Sequence, residues 1–548
     1  MLRLLYPLVL FGFVFSNGVY ARDKWTELNI GPFYVDTDGD VGAGRNDLTQ
    51  LEQLRWVMGG LLESKDLPSL WPIRVMLTKS EKTNPIGFES QQGQYLLVCP
   101  PETRLPLDQV ARILLDANTQ RLPDEVEKGL PELFSSIEAH GAHVTWGGAP
   151  AHPDLAWARM QLFATKFEYS LSFHIFLSAL RTGTNLRAAE RNAFGKDPAV
   201  LEQEVAANLA AGTWQAVPVS GRPLDPKRDF GEHSLDETSA AVYLANFDLK
   251  NNPDAAEAAY KEAVTAGPPA AALGYEGLAA LAERNHENPK PFSDKAIKAG
   301  SRSASVYVSA AEGLDPAQAM PLLKRAAILN PLWAEPVFRE AALAMDKAEK
   351  LSLLKEAAKL DPRGTQYWIA LAEFETSLGQ ASAAQGSWFR AEDSAATPAI
   401  RDRVHQQRVD SEQERLDAEA AANQRERDAT RDADERAQQA EAGRIRAAER
   451  RANRGKDDQP DQVIPWSEVV PQKHLLGKLV TVECLGSNAR LVITDRQGAS
   501  VRLLLKNVSE AGLACGPQKP TPTVSLSYSA EPDERFQTVG LVTSLKVQ

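Results

Sequence analysis

The spacing of apolar residues changes character along the chain, and each change predicts a different kind of element. Between Lys24 and Pro100, short β-like runs (PFYVD, IRVMLT, QYLLVC) flank one helical stretch, Asp47 to Glu63, which predicts an α+β unit. From Leu107 to Ser136 the text LDQVARILLDANTQRLPDEVEKGLPELFSS reads as two amphipathic helices broken at Arg121-Leu122-Pro123. The last ninety or so residues alternate again, in KLVTVECL, ARLVIT, SVRLLLK, TVSLSYS and TVGLVTSLKV. Five short strands of this kind predict a small β-barrel or sandwich.

Between Ser234 and Pro398 the chain is alanine-rich, helical and self-similar. The fragments YKEAVTAGP, SDKAIKAGS, LKRAAILNP, LKEAAKLDP and WFRAEDSAA place an equivalent alanine at Ala263, Ala296, Ala326, Ala357 and Ala391, spaced 33, 30, 31 and 34 residues apart. These spacings bracket the period of tetratricopeptide repeats (TPR), in which a small residue lets two antiparallel helices approach closely. Asn330-Pro331 and Asp361-Pro362 stop one helix and start the turn to the next. The expected fold is four or five degenerate repeats forming an α-solenoid. Trp333, Tyr367, Trp368 and Trp388 are the candidate anchors for a bound peptide, with packing between helices as the rival account.

Residues 401–456 carry 14 Lys/Arg and 13 Asp/Glu, with few larger aliphatics. Glu412–Arg415, Asp428–Arg431, Asp432–Arg436 and Glu441–Arg444 sit three or four residues apart, so opposite charges share a helix face. No apolar seam of coiled-coil period runs through the segment, and a charged single-helix spacer is expected, with weak self-association as the alternative.

At 548 residues the chain exceeds one hydrophobic core. The pattern divides it into 1–21, 22–230, 231–400, 401–456 and 461–548: a multidomain, predominantly α protein. A net charge of -12 gives no general attraction to nucleic acid or anionic lipid. From Val463 onward nine Lys/Arg face seven Asp/Glu without basic–aromatic clustering, which argues against an oligonucleotide-binding barrel.

The N-terminus, MLRLLYPLVLFGFVFSNGVYA, has an early Arg3, an apolar run from Leu4 to Phe15 and a polar break. It reads as a secretory signal peptide cleaved after Ala21, because the run is shorter than the roughly 20 residues that span a bilayer. The expected location is periplasmic or extracellular, with no transmembrane segment in the mature form. Export makes a Cys484–Cys515 disulfide chemically permissible, whereas Cys99 reads as a buried small hydrophobe.

Two histidines one turn apart and a glutamate beside the first make the HExxH helix of zinc peptidases, and a second helix adds a third ligand. Leu122-Pro123 leading into EVEKGLPELFSS and then HGAHVTWGGAP resembles the second helix and following hairpin of a bacterial gluzincin branch. Gly129, Leu130, Glu132, Leu133, Phe134 and Ser135 set the register. The resemblance extends over residues 25–230, through RNAFGKDPAVLEQEVAANLAAGTW and GRPLDPKRDF. Repeats and a C-terminal β domain beginning Cys484-Leu485-Gly486 fit the same exported architecture.

In that register the ligand glutamate falls on Lys128, and HExxH falls on Asp108-Gln109-Val110-Ala111-Arg112. No histidine precedes His140, so no slip of register restores the motif. The resemblance therefore implies a degenerate peptidase domain with no catalytic residue, no metal and no cofactor. Arg112 and Lys128 would repel a dication. The expected function is non-catalytic protein or peptide binding through the repeats.

The rivals are a metallopeptidase with a displaced site at His140, His143 and His152, and a structural component of the cell envelope. Asp36, Asp38 and Asp40 resemble a calcium loop, but Val41 stands where such a loop needs glycine, and a turn capping the next helix is the better account. Asp124, Glu125, Glu127 and Glu132 read as a solvated acidic helix start rather than a carboxylate pair.

Overall fold

The computed structural model describes residues 25–79, 87–91, 93–452, 471–508 and 511–547, in two compact units divided between Glu426 and Arg427. The apolar N-terminal run and its cleavage position after Ala21 lie outside the described residues.

The first unit opens with a hairpin of β1 (Trp25–Ile30) and β2 (Phe33–Thr37), turned at Gly31 with φ +55°. Helix α1 (Val41–Leu61) begins ahead of the Asp47 start that apolar spacing predicts. A cap sets that start: the Asp40 carboxylate accepts from the Ala43 N–H at 3.0 Å. Asp38 accepts from the Thr78 hydroxyl at 2.5 Å, and Asp36 is buried against Arg74. The three acids thus serve separate partners, as a capping turn requires.

Strands β3 (Ile73–Leu77) and β5 (Gln94–Cys99) continue the sheet in parallel with β2, and β4 (Glu89–Gln91) forms an antiparallel edge. Helices α2 (Leu107–Asn118) and α3 (Asp124–Leu133) follow. A hairpin of β6 (Glu138–His140) and β7 (His143–Trp146) then turns at Gly141. Next come α4 (Leu155–Thr165), α5 (Phe167–Ser170), α6 (Phe173–Arg181), α7 (Leu186–Phe194) and α8 (Pro198–Ala211). Strand β8 (Val217–Ser220) pairs with β7.

After α9 (Pro226–Asp229), β9 (Gly231–Leu235) pairs with β1, giving the sheet order β4-β5-β3-β2-β1-β9. Residues 231–235, which the sequence pattern places with the repeats, therefore belong to the first sheet.

The apolar runs of β3 and β5 are continuous because both faces of the sheet are covered. Val75, Leu77, Leu97 and Cys99 pack with α1, α2 and α3, whereas Met76, Leu96 and Val98 pack with Trp25 and Ala240. Ala240 lies on the first repeat helix, α10 (Glu237–Asp248), so one face of the sheet is closed by the repeats.

The remaining helices form hairpins. Helix α10 pairs with α11 (Pro253–Ala266), α12 (Ala270–Arg284) with α13 (Lys290–Lys298), and α14 (Ala304–Ala311) with α15 (Pro316–Leu329). Helix α16 (Ala334–Leu343) pairs with α17 (Lys347–Leu360), and α18 (Thr365–Ser377) with α19 (Ala381–Ser394). Ala263, Ala296, Ala326, Ala357 and Ala391 fall on the second helix of each pair, all at 0% exposure. The chain is mostly helical with TPR-like helical repeats, together with β sheets.

Helix α20 (Pro398–Ala452) is mostly exposed, and Val404, its one buried residue, packs beside Trp388 and Ala391. Arg415 pairs with Glu412 at 2.8 Å and Glu419 at 3.1 Å, and Arg431 with Asp428 at 3.5 Å. Arg436 instead donates to the backbone carbonyl of Asp432.

In the second unit, β10 (Gln472–Leu485), β11 (Asn488–Asp495) and β12 (Ser500–Leu505) are joined by β13 (Gly516–Pro517), β14 (Thr523–Ser529) and β15 (Leu541–Val547). The ladders run β10–β11–β12–β15–β14 and back to β10, around Leu479, Val482, Leu491, Ile493 and Leu526. A disulfide joins Cys484 to Cys515, and Cys99 in the first unit is buried and outside any disulfide.

Asp47 on α1 has a buried Oδ2 with no hydrogen-bond partner among the described residues, and burial pushes its carboxyl up to about 7. Its unfolded value is near 3.8, so the native state holds a proton that the unfolded chain releases as pH rises from about 4 to 7. Stability from this group is therefore lost as pH rises through that window. Asp47→Asn is expected to stabilise the protein on the order of 2 kcal/mol at pH 7.5 and by little at pH 4, in urea unfolding followed at both values. An equal effect at both pH values would refute the assignment.

Candidate functional site

The apolar halves of α2 and α3 fix the geometry of residues 107–133. Val110, Ala111, Leu114, Leu115, Val126, Leu130, Leu133 and Phe134 are all at 0% exposure, which orients the polar halves of both helices outward together. Asp108 and Arg112 lie one turn apart on α2, and Lys128 and Glu132 one turn apart on α3.

Lys128 forms an ion pair with Asp154, the residue that caps α4 through the Trp157 N–H at 2.9 Å. The hydrogen bond it donates to Asp154 raises the Lys128 ammonium above its usual range. Burial pushes the Asp154 carboxyl up, but the Lys128 and backbone hydrogen bonds outweigh it and hold the group low. The Glu132 carboxyl is raised by burial first and by Asp154, while Lys128 and Arg112 oppose the rise. Asp108, Arg112, Lys128, Glu132 and Asp154 thus form one charge cluster.

Gln109 turns the other way. Its Oε1 accepts from the Phe88 N–H at 2.9 Å, just ahead of edge strand β4. A Cβ at Gly87 would lie 2.2 Å from that oxygen, so glycine lets the strand approach the amide.

His140 and His143 are opposed cross-strand partners on the exposed hairpin, and His152 is exposed in the loop before α4. Glu127 differs from the expectation of a solvated acidic helix start. It is 12% exposed, accepts from the Leu122 N–H at 2.6 Å and is gripped by Arg363 from the repeats.

The proposed aromatic anchors are engaged within the chain. Tyr367 and Trp388 are each 4% exposed, and Tyr367 packs against Phe338 with ring centroids 5.1 Å apart. Trp333 meets Trp71 of the α/β part edge-on at 4.9 Å, and the Trp368 indole N–H donates to the Pro362 carbonyl. Burial removes Tyr367 and Trp388 from the set available to a peptide.

Sequence reasoning missed a cleft of about 630 Å³ where the sheet meets the repeats. Arg74 lines it between the rings of Tyr34 and Tyr243, at 4.7 and 4.1 Å from their centroids, and pairs with Asp36 and with Glu27 at 3.0 Å. Burial pushes Asp36 up to about 6 despite Arg74. On the repeat side lie Asn246, Glu276 and Arg302. Burial pushes the Glu276 carboxyl up to about 7, and the Ser301 hydroxyl donates to it at 2.5 Å. The signal available in the sequence was Arg74 inside an otherwise apolar strand.

No protein-family model and no curated protein matches the chain. Among solved structures, it is similar to YrrB, a TPR protein with an unusual peptide-binding site, at 20% identity over 31% of this chain and 92% of that one, TM-score 0.26. It is similar to yeast Tom70 at 16% identity over 55% of this chain and 66% of that one, TM-score 0.28. A thermophilic TPR protein of Thermus thermophilus gives 19% identity over 31% and 97%, TM-score 0.23.

Proposed function

We propose that the chain is an exported, non-catalytic scaffold that holds a protein or peptide partner on its helical repeats, with a zinc-peptidase-like part whose chemistry is lost. The observation that carries the second half is the engagement of the matched positions. Lys128 is ion-paired to Asp154, and Gln109 is bound to the edge-strand backbone. A carboxylate already paired with a cation offers little attraction to a second cation.

The partner-binding half rests on the repeats themselves, since stacked hairpins expose a continuous surface. Met345 at 96% and Ile328 at 69% exposure are apolar side chains on that surface. The Cys484–Cys515 disulfide supports export, because such bonds persist in oxidising compartments. We read the ring of ladders in the second unit as a small barrel without a basic groove.

Deleting the repeats would strip α10 from Met76, Leu96 and Val98, so point labels are the better probe. Photo-crosslinkers at positions 328 and 345 of the full chain, used in the native envelope, are expected to capture a partner protein. Crosslinks confined to probes placed in residues 472–547 would remove the repeats from that role. The purified mature protein should begin at Arg22, contain no stoichiometric zinc by elemental analysis and show no chelator-sensitive proteolysis. Bound zinc with such activity would overturn the non-catalytic reading.

A further inference from the structure

The cleft between the sheet and the repeats has the volume of a ligand site. Neither part builds it alone: Tyr34, Ser69 and Arg74 come from the α/β part, and Asn246, Glu276 and Arg302 from the repeats. The two halves are held in register by the Trp71–Trp333 contact and by Asn330 Nδ2, which donates to the Leu70 carbonyl at 2.8 Å.

The unpaired groups define what would fit. Asn246 is 3% exposed, and among the described residues its Oδ1 has no hydrogen-bond partner. Ser69 Oγ and Arg74 Nε are likewise buried without a partner. Buried polar atoms are nearly always hydrogen-bonded to protein, ligand or ordered water, so these groups around one cleft set the polar pattern a ligand there would meet. Arg302 is exposed on the cleft and makes no ion pair among the described residues.

An acceptor-only anion such as sulfate would meet Asn246 Oδ1 and the oxygens of Glu27 and Glu276. A donor-only polyamine would meet Arg74 and Arg302. The ligand must present donors and acceptors side by side, as an amide backbone does at every residue. A sugar would do so as well, but sugars also stack on open ring faces. Here Arg74 takes a face of both Tyr34 and Tyr243, and Trp333 packs against Trp71.

We propose that this cleft binds a short extended peptide segment through its main chain, with an N–H donated to Asn246 Oδ1 and a carbonyl accepting from Arg302. The proposal rests on the scaffold reading and names where on the chain the partner is read.

The test is selection of a displayed random dodecapeptide library on the full chain, followed by synthesis of the consensus peptide. Binding is expected to weaken at least tenfold in Asn246→Leu and about fivefold in Arg302→Ala. Methylating one backbone nitrogen of the peptide should also cost at least tenfold. Asn246→Leu removes an unsatisfied acceptor, so its melting temperature should equal or exceed that of the parent. If it fails to fold, the exposed Arg302→Ala and the methylated peptides decide the matter.

The cleft proposal falls if no peptide is selected, if selected peptides bind both variants like the parent, or if a neutral oligosaccharide binds in an Asn246-dependent way. Should crosslinks at 328 and 345 capture a partner equally in both variants, the scaffold reading stands and the cleft proposal fails. No partner at any repeat position would instead end the scaffold reading.

Discussion

Arg363→Ala is expected to cost about 3–5 kcal/mol and to release the repeats locally from α2 and α3. Arg363 sits in the turn between α17 and α18, and its side chain is only 8% exposed. Its Nη2 donates to Glu127 Oε1 at 2.8 Å and its Nη1 to Oε2 at 3.0 Å, a two-point grip on one carboxylate. Nη1 also reaches Asp116 at 2.6 Å, Nε reaches the Thr119 carbonyl at 2.9 Å, and Nη2 reaches the Thr119 hydroxyl at 2.9 Å.

Removing the guanidinium leaves Glu127 buried without its cation, and that orphaned charge, rather than the lost contact area, dominates the cost. Arg363→Lys keeps the charge but cannot span both carboxylate oxygens and the backbone, so an intermediate loss is expected. Arg363→Ala combined with Glu127→Gln should recover part of the loss, because the stranded charge is gone. Hydrogen exchange over residues 107–136 and 345–398, with urea unfolding of the full chain, measures these differences. Unchanged exchange in both segments of Arg363→Ala would show that the contact does not hold the parts together.

What the sequence displayed, and what it hid, follows from the range of the interactions. The repeat alanines were legible because close approach of two neighbouring helices imposes a local, recurring demand, and all five are fully buried. Strands β3 and β5 were legible because burial on both faces leaves largely apolar runs. Strand β9 was not, since Gly231–Leu235 has only half-exposed or exposed residues and becomes a strand by pairing with β1, about 200 residues earlier. The start of α1 was set by one capping carboxylate rather than by its apolar face.

At the candidate sites the same division holds. The absence of histidine from residues 107–136 is a property of sequence alone. The use of Lys128 and Gln109 required partners at Asp154 and Phe88, which no local pattern announces. Glu127 looked like a solvated helix-start acid because its partner lies 236 residues away. The four aromatic residues were visible, but their engagement was set by packing against Phe338 for Tyr367, Trp71 of the α/β part for Trp333 and the Ala391 layer for Trp388.

Gly129→Ala sets two effects against each other and should be destabilising by about 3 kcal/mol. Helix propensity alone favours alanine over glycine inside a helix by about 1 kcal/mol, and Gly129 lies within α3. Packing opposes it: a Cβ there would stand 2.1 Å from the Ala156 carbonyl oxygen and 2.4 Å from its carbon, with Met160 Cγ at 3.0 Å. The obstacle is the backbone of α4, which cannot rotate away as a side chain would. Helices α3 and α4 must separate, loosening the core to which Leu130, Leu133, Trp157 and Met160 all belong. The same shift moves Asp154 away from Lys128, so the loss should appear both in urea unfolding and as faster hydrogen exchange in α4. A variant as stable as the parent or more so would mean that propensity prevails and that the close approach of α3 to α4 is not required by the fold.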